Sequence, residues 1–257
     1  MQNKSKLILK TGLIIVYLFP FLYLAVLSVT SRYPFPEIIP DHLNFSHWVS
    51  VFTGESELTQ SLIISACISL SVAFVATGLG FITSRAFAGK HNEKHFIKLT
   101  YLPFLFPPVI YASMVSHFFI VAHISGTIVG VIIGQILIAY PFAILLLRGF
   151  WSRIVLTSEE SAKTLGASPR QVLFRILLPM AKGLLFITFF QTFLISWFEY
   201  GLTTLLGLGQ IQTLTLRVFG YIQQGNPALA AMSSLFLFIP PVLLLLIYKP
   251  SLFRRRF

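Results

Sequence analysis

The sequence predicts an all-α, polytopic membrane protein with six transmembrane helices in a single permease-like domain, residues 1–257. Three observations predict it. Apolar residues make up 56% of the chain and charged residues 11%, with a mean hydropathy of +0.82, which leaves too little polar surface for a soluble domain. The apolar residues fall in six runs, roughly 11–29, 61–83, 99–122, 126–147, 183–206 and 227–248. Each is near the length of about 20 residues that a helix needs to cross a bilayer. Finally, the runs are continuous rather than alternating, which argues against the strands of a lipid-facing barrel.

The net charge of +11 would suit a nucleic-acid partner, but its distribution does not. All of the 19 Lys and Arg residues except Arg32 and Arg217 lie at the two ends or in alternate loops. Those loops hold Arg85, Lys90, Lys94 and Lys98, and then the run from Arg148 to Lys182. The positive-inside rule therefore puts both termini in the cytoplasm and the 30–60 loop, with Glu37, Asp41, Glu55 and Glu57, outside. Arg254–Arg256 reads as a topology anchor, with a lipid headgroup site as the alternative. Membrane lipid is the expected neighbour and nucleic acid is not.

The first run follows a basic start, as in a signal peptide. It is too long for a typical signal core and no small-residue cleavage site stands near Ser28–Tyr33, so an uncleaved helix is expected. The single cysteine, Cys67, lies in the second run, where a small packing role is expected. In the same run Ser65, Ser69, Ala73, Ala76 and Gly80 recur on one helix face and would permit close packing. The 31–60 loop, rich in proline at Pro34, Pro36 and Pro40, should contain a short interfacial helix over 45–53, capped by Ser46 and anchored by Trp48. A short link near His123–Gly126 should make the third and fourth spans antiparallel neighbours. Pro20, Pro103, Pro107, Pro108, Pro141, Pro240 and Pro241 should bend or interrupt their helices.

The stretch 149–182 lies between the fourth and fifth spans and reads as two short helices. Thr157 and Glu160 have the spacing of a capping box, and Gly166 suits a left-handed helix end. Ser168, Pro169 and Gln171 form a second start signal, and Pro179 should end or bend that helix. The tip, Gly166-Ala167-Ser168, is small enough to enter a groove on a partner; a membrane-surface hairpin without a partner is the alternative.

This stretch resembles the permease motif of type I binding-protein-dependent ABC importers, E-A-A-x(3)-G-x(9)-I-x-L-P. Glu160, Ser161 in place of the first alanine, Ala162 and Gly166 match it, and Ile176, Leu177, Leu178 and Pro179 follow at the family spacing. The resemblance implies a six-span permease whose hairpin docks on a separate ATPase. Glu160, Ser161, Ala162, Gly166, Ala167, Ser168, Ile176, Leu178 and Pro179 would carry that coupling. It also implies a bacterial inner-membrane location, a second permease subunit (a copy of this chain or a paralogue, a heterodimer being usual in the polyamine-like group), two ATP-binding subunits and an external substrate-binding protein. No catalytic residue and no cofactor is expected in this chain; ATP and Mg would be bound by the partner, since no G-x(4)-G-K-[ST] loop occurs.

The fifth run carries Thr188, Gln191, Thr192, Ser196 and Glu199, mostly three or four residues apart, and these are candidates for a translocation path or gate. Ordinary helix packing is the alternative. Arg217 would face a binding protein or lipid headgroups. His117 and His123 are lone histidines, and no metal site is expected. The segment Trp197–Gly201 resembles a stretch of oxyanion, iron and thiamine permeases, with an acidic residue near there in polyamine permeases too, and Gln212–Arg217 with Gly225–Ser233 resembles the polyamine, iron and thiamine group. That resemblance implies a polyamine such as spermidine or putrescine as substrate, with iron(III), thiamine or another small solute as alternatives. An ion channel or secondary carrier without an ATPase is the competing class.

Overall fold

The computed structural model describes residues 2–30, 44–53, 56–90 and 93–253. The expectations resting on Arg32, Pro34, Pro36, Pro40, Glu37, Asp41, Glu55 and Arg254–Arg256 lie outside these residues. The described chain is helical as expected. It runs through α1 (Gln2–Leu27), α2 (Ser46–Phe52), α3 (Glu57–Phe87), α4 (Glu93–Thr100), a 3-10 turn (Leu102–Leu105), α5 (Pro108–Val121) and α6 (Ile128–Arg148). Then come α7 (Arg153–Thr164), α8 (Pro169–Val172), a π turn (Leu173–Leu177), α9 (Leu178–Trp197), α10 (Gly201–Leu206), α11 (Leu214–Gln223) and α12 (Pro227–Phe253).

Among the described residues, five helical segments are long and apolar enough to cross a membrane: Lys10–Leu27, Glu57–Phe87, Ile128–Arg148, Pro169–Trp197 and Pro227–Leu244. The expected third span is different. It is divided into α4, the 3-10 turn and the 14-residue α5. At about 1.5 Å per residue, α5 alone falls short of a hydrocarbon core of about 30 Å. Pro103 and the Pro107-Pro108 pair cause the division: none has an N–H to donate, and Phe106 before Pro107 is extended. By contrast the helices continue through Pro20 and Pro141.

The chain divides into two compact units, residues 1–64 with 212–246, and residues 65–211 with 247–257. In the first unit, the indole of Trp48 on α2 donates to Ser28 O at 3.2 Å and its ring lies 5.4 Å from that of Phe236. The cap of α2 is Phe45 without a side-chain bond, not Ser46, because Asn44 Oδ1 takes up the Ser46 N–H instead. On α11, Leu214, Thr215, Val218 and Tyr221 form the buried face and Thr213 caps the N-terminus. Arg217 pairs with Glu57 at 2.7 Å and donates to Ser61 Oγ at 3.3 Å, so it is engaged within the chain.

The second unit packs α6 against α3 and α9. The small-residue face of α3 is buried at Ser65, Ser69, Ala73, Ala76 and Gly80. A Cβ on Gly80 would stand 2.7 Å from Ala143 Cβ, so glycine is what lets α3 and α6 approach. Cys67 is exposed rather than packed, because it points away from that face. The short connection between α5 and α6 does not make them simple antiparallel neighbours. The short α10 packs between them, through a cluster of Ala112, Phe119, Ile138, Leu202 and Leu206.

Candidate functional site

The hairpin 149–182 is built by local signals and then fixed by packing. α7 starts at Arg153 after Ser152, four residues before Thr157, and the expected Thr157–Glu160 capping box does not form. Tertiary burial explains the earlier start: Trp151 and Val155 pack into a core with Phe81, Leu147, Val172 and Leu177, which draws the first turn into the helix. The end of α7 follows the sequence. Gly166 has φ +85°, Gly166 N–H donates to Lys163 O and Ala167 N–H to Ala162 O, both at 3.0 Å. This is the paired 5→2 and 6→1 closure that favours glycine.

The second start signal is also realised. Ser168 Oγ accepts from Gln171 N–H while Gln171 Oε1 accepts from Ser168 N–H, and Pro169 is the first helical residue. Pro179 does not end the helix. The preceding turn widens to a π turn over Leu173–Leu177 and the helix continues into α9. Pro179 has no N–H to return to the Arg175 carbonyl, and a widened turn relieves that crowding. Ala162, Ala167, Ile176 and Leu178 are half-buried, whereas Glu160, Ser161, Gly166, Ser168 and Pro179 are exposed. Leu165, at the tip, is 88% exposed.

The buried acidic group of the hairpin is Glu159, which the sequence reading passed over. Its carboxylate lies 2.5 Å from Arg85 Nε at the end of α3 and 2.7 Å from Lys163 Nζ one turn along α7. The Trp151 ring lies 5.6 Å from the Arg85 guanidinium, and its Nε1 donates to Ser84 Oγ at 2.8 Å. The Arg85 hydrogen bond holds the Glu159 carboxyl below its ordinary pKa; burial opposes this, and Lys163 adds to it. The Glu–Lys spacing of four residues was the available signal.

The polar candidates of the fifth run separate into two groups. Thr188, Thr192 and Ser196 are buried on one face of α9, and Gln191 is half-buried. Thr192 Oγ1 lies 3.2 Å from Thr77 Oγ1, and Ser196 Oγ lies 3.2 Å from Ser69 Oγ, so these residues tie α9 to α3. Glu199 is not on that helix, because α9 ends at Trp197 and the expected run to residue 206 breaks before α10. Its carboxylate instead accepts from Leu202 N–H at 2.7 Å, Thr203 N–H at 2.9 Å and the Thr203 hydroxyl at 2.8 Å. It caps the first turn of α10.

The two groups meet at Gln135, a fully buried residue in the middle of α6 that the sequence reading missed. Its Oε1 accepts from Ser196 Oγ at 2.5 Å and its Nε2 donates to Thr203 Oγ1 at 3.0 Å. A lone glutamine inside an apolar run is the signal that could have found it. Beside it lies a cavity of about 400 Å³, lined by Pro108, Val109, Gln135, Ile138, Leu194, Ile195 and Phe198–Leu202. Most of those side chains are apolar. Among the described residues no group of three or more His, Cys, Asp or Glu could hold a metal ion.

No family model matches the chain. Curated relatives do. The chain is 28% identical over 187 residues to the trehalose transport system permease SugB of Mycobacterium tuberculosis, covering 70% of this chain and 67% of that protein. It is 26% identical to the galactooligosaccharides transport system permease GanQ of Bacillus subtilis, covering 64% and 65%. It is 24% identical to the spermidine/putrescine transport system permease PotC of Haemophilus influenzae, covering 78% and 79%. The chain belongs with the membrane permeases of type I ABC importers. In this permease the hairpin stands where the family motif was read, at Glu160–Pro179, and α3, α6 and α9 meet at a buried polar seam.

Proposed function

We propose that this permease forms half of the pore of an ATP-driven solute importer in a bacterial inner membrane, with both termini cytoplasmic. A second permease subunit, different from this chain, completes the pore. Two ATP-binding subunits dock on the hairpin and bind the ATP and Mg, and an external binding protein delivers solute. The hairpin carries this reading: two satisfied caps make it rigid, and it holds Glu160 and Leu165 out where a partner's groove would meet them. Glu160, Ser161, Ala162, Gly166, Ala167 and Ser168 form the docking element. Ile176, Leu178 and Pro179 carry its movement into α9. Thr188, Gln191, Thr192 and Ser196 flank the path, and Glu199 holds α10 beside it.

The solute class this reading favours is a neutral oligosaccharide. Two of the relatives above carry carbohydrate names, and the Glu199 carboxylate is already engaged by three donors rather than free for a cation. A polyamine is the second reading, favoured by PotC, whose match covers 78% of this chain and 79% of that protein.

The test is a pull-down of the full chain from native membranes, beside Glu160→Ala and Gly166→Pro. An ATPase that binds the parent chain and is lost from both variants supports the reading. A parent chain that purifies without an ATPase overturns it. The binding protein that co-purifies is then titrated with trehalose, a galactooligosaccharide and spermidine, which separates the two solute classes.

A further inference from the structure

The ion pair beneath the hairpin joins elements that are far apart in sequence. Glu159 sits one residue before the outward-facing Glu160, yet it reaches across 74 positions to Arg85 at the last turn of α3. Its second cation, Lys163, belongs to its own helix. The apolar core of Trp151, Val155, Val172 and Leu177 already holds the hairpin down. What the pair adds is register. It fixes one position on α7 against one position on α3, with Trp151 locking the guanidinium from the side. From there α3 continues to Thr77 and Ser69, which meet Thr192 and Ser196 on α9.

We infer that Glu159 is a positioning residue that carries movement of the docked hairpin into α3 through Arg85, while its neighbour Glu160 meets the ATPase. This rests on the docking reading above. A hairpin displaced by the partner can move past α3 only by leaving a buried carboxylate without its guanidinium, which is costly. The hairpin and α3 therefore move as one body, and α9, already continuous with the hairpin, moves with them.

The test uses the full permease with its co-purified ATPase, in a Cys67→Ser background. Spin labels are placed at Ile82→Cys on α3 and Thr157→Cys on α7, both exposed positions outside the pair. The distance between labels is recorded without nucleotide and with ATP and Mg. The parent should hold one distance in both states. Glu159→Gln should keep its bound ATPase and its ATP turnover, but show a second, ATP-dependent distance, with roughly a tenfold loss in the proportion of complexes moving as one body. Glu159→Asp should restore much of the single distance, which a purely structural role would not require. Should Glu159→Gln fail to accumulate, Arg85→Gln breaks the same pair from the other side. A single distance in these variants overturns the inference. Loss of the ATPase from Glu159→Gln also overturns it, because Glu159 would then be a docking residue. A parent chain without any ATPase removes the docking reading itself.

Discussion

Glu159 and Glu160 are adjacent on α7, one buried and the other exposed. The first is 5% exposed and lies 2.5 Å from Arg85, while the second is exposed. A step of about 100° around the helix is enough to turn one carboxylate into the packed interior and leave the next exposed. The family motif marks Glu160, and the residue that anchors the hairpin is the one before it.

Acid should find this anchor. The Glu159 carboxyl is held below its ordinary value of 4.5, chiefly by the Arg85 hydrogen bond. A carboxyl with a depressed folded value stabilises the fold above its unfolded value and loses that contribution as pH falls through the folded one. Thermal melts of the purified permease and of Glu159→Gln from pH 7 to pH 3 check this. The parent should be more stable by about 1–3 kcal/mol at neutral pH, and the gap should begin to shrink near pH 4.5 and close below it. A gap that widens in acid would contradict the pairing.

The approach of α3 to α6 depends on Gly80. Its added Cβ would press on Ala143 Cβ at 2.7 Å, where backbone atoms of Ala143 also lie 3.2 Å away. Gly80→Ala should therefore destabilise the permease by about 1–3 kcal/mol, and Gly80→Leu by more. Adding Ala143→Gly should recover part of the loss from Gly80→Ala, so the double variant is less impaired than the two single changes summed. Denaturant titration in detergent reads the difference.

Gln135 should behave as the keystone of the polar seam. Truncation to alanine leaves Ser196 Oγ without its short bond and Thr203 Oγ1 without its donor, both in buried positions. Gln135→Ala should cost about 1–2 kcal/mol, in the range of interhelical hydrogen bonds in membranes. Gln135→Glu keeps the shape, and it can no longer donate to Thr203 when ionised. It should be worse than Gln135→Ala at pH 8, read by the same titration.

Much of this was legible in the sequence, and the misses have physical causes that can be named. Continuous apolar runs gave α3, α6 and α12 to within about five residues and the apolar part of α1, Lys10–Leu27, though α1 itself starts nine residues before the expected run; the Gly166 and Ser168-Pro169-Gln171 signals each placed a turn. At the hairpin, contacts distant in sequence decided the outcome: packing of Trp151 and Val155 with Phe81 drew α7 upstream of Thr157, and Arg85 picked Glu159 out of a pair of glutamates. At α2 a local contact did so, since Asn44 takes up the Ser46 N–H. The division of the third span was written in Pro103, Pro107 and Pro108, but a window of mean hydropathy averages over such residues.

Glu199 gives the prediction that separates a cap from a solute ligand. Its two oxygens accept three hydrogen bonds at the start of α10, from Leu202 N–H, Thr203 N–H and the Thr203 hydroxyl. Those N–H groups belong to a first helical turn and have no partner within the helix. Glu199→Ala should leave them unsatisfied, at a cost of about 1–2 kcal/mol. Glu199→Gln retains one acceptor oxygen and should lose about half of that. If the carboxylate serves α10, the glutamine variant should lower uptake of a neutral sugar and of spermidine by the same factor in membrane vesicles, because what it loosens is the segment beside the 400 Å³ cavity. Were Glu199 instead a direct ligand of a cation, the glutamine variant would abolish spermidine uptake and leave sugar uptake intact. A selective loss of that kind would remove the capping role from the transport mechanism and make the polyamine reading the stronger one.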